Sequence, residues 1–137
     1  MKKILVVVTF LFICTNYFSQ TKSTEVDIPI TEKAQFPNGE NAFRKEFMKM
    51  VYAYVDVTAY AVNGKFIFTI TIDEKGKMTN LQISPIVRND TEFVQDMTFA
   101  MKRIKKKWKP AFFNGKPIES KYIFEINFTT DHSDHEY

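Results

Sequence analysis

The alternation of apolar and polar positions is clearest in the middle of the chain. Phe66, Phe68, Ile70 and Ile72 fall on one side of an extended segment and Ile67, Thr69 and Thr71 on the other, the period of two that marks a half-buried strand. Asp73, Glu74, Lys75, Gly76 and Lys77 supply a tight reversal with Gly76 at positive φ, and Leu81, Ile83 and Pro85 continue on a second strand, closing a hairpin. A helical period flanks this hairpin on both sides. Ala42, Phe43, Phe47, Met50 and Val51 recur at three and four, so a helix is predicted from near Glu40, capped by Asn38 after the turn Phe36-Pro37-Asn38-Gly39, with Arg44, Lys45 and Lys49 turned to water. Asn89, Asp90 and Thr91 can start a second helix whose stripe is Phe93, Met97, Ala100, Met101 and Ile104. Lys102, Arg103, Lys105, Lys106 and Lys107 crowd its last turns, where cations suit the helix dipole. Trp108-Lys109-Pro110-Ala111 stops it, Asn114-Gly115 turns the chain, and Tyr122, Phe124, Ile126 and Phe128 line one face of a final strand. Residues 52–61 stay open between a strand and an irregular return. The order helix, two strands, helix, strand predicts an α+β fold: a small antiparallel sheet of about three strands with two helices packed on one face.

The amino terminus follows another pattern. Met1-Lys2-Lys3 is positive, residues 4–13 are apolar apart from Thr9, and a polar stretch follows, the layout of a secretory signal peptide over residues 1–20. Export is therefore expected. The alternatives are a retained anchor and lipidation at Cys14. Residues 4–18 would span only about 22 Å of helix against about 30 Å of hydrocarbon, and the bulky Ile13 suits a lipidation site poorly. Residues 21–33 read as a polar lead-in in which Val26, Ile28 and Ile30 alternate as an edge strand would, with Pro29 removing one ladder donor. Residues 34–129 form the main domain and residues 130–137 a polar tail.

Composition narrows the chemistry. A chain of 137 residues with 14 Phe, six Tyr and one Trp can fill a single core. One Cys and two His leave no thiolate or imidazole metal cluster and no ordinary nucleophilic triad. The formal charge of +3 loses Lys2 and Lys3 on cleavage, leaving 17 cations against 16 acids, or +1, which is no footprint of a nucleic-acid binder. In the tail, Asp131, His132, Asp134, His135 and Glu136 could hold a divalent metal, but a terminal segment offers no supporting shell. The cations from Lys102 to Lys109, interleaved with Trp108, could meet nucleic acid or anionic headgroups; the plainer reading is a solvated helix end with Trp108 packed in the core or at its rim. Asp73 and Glu74 sit on a hairpin tip where water screens them. No HExxH, GxSxG, CxxC or phosphate-binding glycine loop occurs. The expectation is a protein that is not an enzyme and needs no cofactor, metal or nucleic acid.

At this point the chain is similar to a known family. Ala34-Gln35-Phe36-Pro37-Asn38-Gly39 leading into Ala42-Phe43, Asn63-Gly64-Lys65 opening a strand, Asp73 to Lys77, the Trp108-Lys109-Pro110-Ala111 corner, Asn114-Gly115-Lys116-Pro117 and the closing Ile126-Asn127-Phe128 resemble the TonB carboxy-terminal domain over residues 34–129. Where the family commonly carries Tyr-Pro after the first helix, this chain has Tyr52-Ala53-Tyr54-Val55. The resemblance implies a periplasmic domain whose final strand pairs with an extended peptide, the TonB box, of a TonB-dependent outer-membrane receptor. The residues concerned are Tyr122, Ile123, Phe124, Glu125, Ile126, Asn127 and Phe128, of which Ile123, Glu125 and Asn127 face away from the expected core. Lys121 and Glu119 would keep such an edge soluble. Only thirteen residues separate Gln20 from Ala34, about 40 Å even as a polyproline spacer, so an exported module is expected rather than a force-transmitting rod. A membrane-anchored energy transducer, another envelope protein as partner, and self-association through the same edge as a homodimer are the alternatives.

Overall fold

The computed structural model describes residues 29–129. Its elements run α1 (Glu40–Tyr54), a 3-10 helix (Val57–Tyr60), β1 (Gly64–Ile72), β2 (Met78–Ser84), α2 (Asp90–Lys102), β3 (Ala111–Phe113), β4 (Lys116–Ile118) and β5 (Ser120–Phe128). The expected signal peptide at 1–20, residues 21–28 of the lead-in, and the tail at 130–137 lie outside the described residues.

The alternating segment is the central strand of a three-stranded antiparallel sheet in the order β2-β1-β5. Phe68 stands opposite Ile83 on one side and Phe124 on the other, which fixes the apolar faces of all three strands in register. Both helices cover that face. From α1, the Phe47 ring lies 5.6 Å from Phe68 and 5.4 Å from Phe124, and Phe43 lies 5.2 Å from Phe124. From α2, Phe93 lies 6.1 Å from Phe66. Phe43, Phe47, Phe68 and Phe93 are fully buried, each contributing about 1.5–3 kcal/mol of hydrophobic free energy relative to exposure. The fold is the expected α+β arrangement, with a second, two-stranded sheet added.

That addition is the β3–β4 hairpin, turned by Asn114 (φ 48°) and Gly115 (φ 78°). Two successive left-handed residues make the reversal whose twist suits a two-residue hairpin, and Asn-Gly is the pair that adopts it most readily. The lead-in joins this hairpin: Glu32 and Phe112 exchange N–H to carbonyl bonds of 3.1 and 2.9 Å, and Gln35 and Lys109 do so at 3.0 and 2.8 Å. Ile30 lies in no strand, and Val26 and Ile28 lie outside the described residues.

The β1–β2 reversal is built around Asp73. Its Oδ1 accepts the N–H groups of Lys75 and Lys77 at 2.9 and 2.8 Å, and those bonds hold its carboxyl below the ordinary carboxylate range. Gly76 has φ 75°, and a Cβ there would come within 1.9 Å of the Trp108 carbonyl oxygen. The Trp108 N–H bonds the Gly76 carbonyl at 3.0 Å, so this glycine is required both by its turn and by the chain that crosses it.

Three local expectations need correction, and the open path of residues 52–61 is resolved. Asn38 does not cap α1: the cap residue is Gly39, and no side chain bonds the first turn. A capping side chain needs extended backbone at the cap position, whereas Asn38 stands one residue too early at φ 66°. The helix runs on to Tyr54 through residues whose propensity is ambiguous, and a 3-10 turn held by Asp56, which accepts from Thr58 N–H at 3.1 Å, then leads to Ala61 at φ 48°. Pro85 is outside β2, which ends at Ser84. Lys105, Lys106 and Lys107 follow α2 rather than belong to it, since the helix ends at Lys102 and Ile104 and Trp108 turn inward. Tyr60 ties the 3-10 turn to α2 by donating to Asp96 Oδ2 at 2.6 Å, a bond that pushes its hydroxyl pKa up to about 12.

Candidate functional site

Strand β5 forms one margin of the sheet and pairs with β1 alone along all nine of its residues, from Ser120 opposite Ile72 to Phe128 opposite Gly64. Tyr122, Ile123, Phe124, Glu125, Ile126, Asn127 and Phe128 therefore all stand on an edge strand. Their side chains divide as their alternation predicts. Phe124, Ile126 and Phe128 are buried and Tyr122 half-buried under α1, while Ile123, Glu125 and Asn127 are exposed on the opposite face.

The backbone divides in the same way. The Asp73 N–H bonds Lys77 across the hairpin, so odd-numbered residues of β1 point their backbone groups toward β2 and even-numbered ones toward β5. Through the even-with-even register, Tyr122, Phe124, Ile126 and Phe128 turn their N–H and C=O groups to β1. Those of Ile123, Glu125 and Asn127 turn outward. An independent contact agrees: the Glu125 carbonyl accepts a bond from Arg44 Nη1 at 2.9 Å, from a residue on α1 rather than from the sheet. The Arg44 guanidinium lies 6.0 Å from the Phe124 ring centre, so this side chain is not simply turned to water as its place in the helical pattern suggests. Eighty-one positions separate the two residues, and nothing local in the sequence announces the contact. Across β1, Lys65 pairs with the Glu125 carboxylate at 3.2 Å, both well exposed, so this pair adds little stability.

A groove of about 740 Å³ runs beside the first half of β5. Ser120, Lys121, Tyr122 and Ile123 form one wall; Ile30, Lys33, Ala34, Gln35 and Phe36 of the lead-in, with Asn38, Gly39 and Glu40 at the start of α1, form the other. Sequence reasoning did not find the lead-in wall, because the bonds that place it, from Glu32 and Gln35 to Phe112 and Lys109, connect distant positions. Burial pushes the Tyr122 hydroxyl above the ordinary phenol range, and the Glu40 charge adds to the shift, so this groove-lining group stays protonated at neutral pH. Trp108 packs behind it at 4.8 Å between ring centres and is 3% exposed, a core side chain.

Among the described residues no three His, Cys, Asp or Glu side chains converge on a point where a metal could sit. The His and carboxylates of the tail lie outside them. Asp73 and Glu74 occupy the hairpin tip, with Asp73 spent on backbone N–H groups. What the geometry offers is main-chain donors and acceptors on an open margin, flanked by a mixed apolar and charged groove: the means to hold an extended peptide.

A sheet of this order with two helices on one face leaves its final strand on an edge. In comparison with known families, residues 58–130, more than half of the chain, match the family described as Gram-negative bacterial TonB protein C-terminal. The chain belongs to the TonB C-terminal domain family. The matched stretch runs from the 3-10 turn through β5 and leaves α1 before it. No curated protein matches the chain. Membership makes it a TonB-like module linked to transport at the Gram-negative envelope, in a family of non-enzymatic transducer and binding domains that interact with outer-membrane receptors. No helix among the described residues is long and apolar enough to cross a membrane.

Proposed function

We propose that this chain is an exported binding module that captures an extended segment of a TonB-dependent outer-membrane receptor as an added strand on β5. The observation that carries the reading is the outward row of backbone groups at Ile123, Glu125 and Asn127 on a strand with a partner on one side only. Strand addition satisfies such groups with main-chain bonds, and alternate side chains of the guest enter whatever pockets flank the edge. Here the groove between β5 and the lead-in supplies such a pocket. Residues 122–128 would carry the contact, with Glu125 exchanging its bond from Arg44 for one from the guest. No cofactor or metal takes part.

The test is a titration of isotope-labelled protein with a synthetic receptor peptide containing a TonB box. The amide resonances of Ile123, Glu125 and Asn127 should shift together and saturate, while those of β2 stay in place. Silence along β5, or shifts confined to another element, would refute the proposal. Sedimentation of the protein alone distinguishes capture of a foreign segment from pairing of two copies by the same edge.

A further inference from the structure

Six cations, Lys102, Arg103, Lys105, Lys106, Lys107 and Lys109, fall within eight residues that contain no acid. The fold treats them unequally. Ile104 and Trp108 are buried at 7% and 3% exposure and pin the segment, so the lysines between them are held on the surface. Lys109 is neutralised by Glu32 at 2.9 Å and Lys106 by Glu46 at 3.7 Å. Among the described residues, Lys102, Arg103, Lys105 and Lys107 form no ion pair.

Beside one of these charges, Arg103, stands a pair of exposed rings. Tyr54, from the last turn of α1, and Phe99, from α2, meet edge to face at 5.7 Å and remain 51% and 45% exposed. The Arg103 guanidinium lies 4.4 Å from the Phe99 ring centre and 5.2 Å from that of Tyr54, so charge and aromatic surface belong to one patch. A solvated helix end accounts for the lysines but not for the rings. Cations beside exposed aromatic side chains are the combination that suits a bilayer surface, the rings at headgroup depth and the charges on lipid phosphates.

We propose that this corner, formed by the carboxy-terminal ends of the two helices and the segment after α2, docks on a membrane surface rich in anionic headgroups. Charge complementarity selects the occupant: four cations without an acidic partner among the described residues, one of them against exposed aromatic surface, fit a fluid anionic interface better than a neutral one. Trp108, the ring on which a nucleic-acid base would stack, is closed into the core. Tyr54, Phe99 and Arg103 line no part of the groove beside β5, so the two surfaces share none of these residues. The inference stands whether or not β5 captures a peptide.

Flotation of the full chain with phosphatidylcholine vesicles, with and without phosphatidylglycerol, tests it. Recovery should require phosphatidylglycerol, fall with added salt, and drop at least about tenfold for the triple variant Lys102→Glu, Lys105→Glu, Lys107→Glu. Phe99→Ser should weaken recovery by a smaller factor and leave its salt dependence in place. All four positions are exposed, and circular dichroism checks that the variants keep the native helix content. Equal recovery on neutral vesicles, unchanged recovery of the triple variant, or retention by a DNA duplex without vesicle binding would each overturn the proposal. The first two results are those expected if an apolar amino-terminal segment carried the chain to the bilayer.

Discussion

Ile67 and Phe68 are neighbours on the central strand, yet they belong to different environments. Phe68 is fully buried against Phe47 and Phe124 and has Phe128 at 6.4 Å. Ile67 is 47% exposed on a face that the helices leave uncovered, near the exposed Ile123 of β5. One side of the sheet therefore holds the hydrophobic free energy of the fold, and the other side, with the β5 margin, is left to solvent or to partners. A module of this size can surrender an edge and a face because aromatic packing on the covered side is dense. The same division separates substitutions that unfold the protein from those that leave it folded and change what it binds.

The largest effect should come from the covered face. Phe68→Ala is expected to cost about 3–5 kcal/mol, a large share of the stability of a small domain, read from urea unfolding. Gly76→Ala should follow at about 2–4 kcal/mol, since it places a Cβ against the Trp108 carbonyl and an alanine at φ 75°. On the open face, Ile67→Thr and Ile123→Thr should each change stability by less than about 1 kcal/mol. A cost at Ile67 comparable to that at Phe68 would break the contrast between the faces. The smallest effect is electrostatic. Asp73 has its folded-state pKa lowered by the Lys77 and Lys75 N–H groups, so its contribution is complete above the unfolded-state value of about 3.9 and is lost as pH falls through the lower folded value. D73N should melt below the parent at neutral pH, and the gap should narrow on acidification below about pH 4.

These contrasts show why parts of the fold can be read from the residues and parts cannot. Phe66 to Ile72 alternates strictly, and Asp73 with Gly76 is a turn whose chemistry is local, so the hairpin is legible. Phe93, Met97, Ala100 and Met101 mark α2 by their period, but the cations after it imitate a helix end, and only the burial of Ile104 and Trp108 reveals that the helix has stopped. The β3–β4 hairpin escapes pattern reading because three-residue strands carry too few positions to show a period, and Pro117 lies in one of them, although Asn114-Gly115 signals the turn. The candidate site divides likewise. Its strand follows from the alternation of Tyr122, Phe124, Ile126 and Phe128, and its role as an edge was available only through family resemblance. The groove wall at residues 33–36 and the Arg44 contact depend on pairings across the chain that no local signal encodes.

Native-state hydrogen exchange along β5 tests most directly whether that margin is open and able to accept a strand. In the protein alone, the amides of Tyr122, Phe124 and Ile126 should exchange slowly, bound to β1, while those of Ile123, Glu125 and Asn127 exchange fast. Addition of a receptor peptide should slow the second set and leave the first unchanged. Uniform protection of both sets in the free protein, or an alternation that the peptide does not alter, would contradict the account.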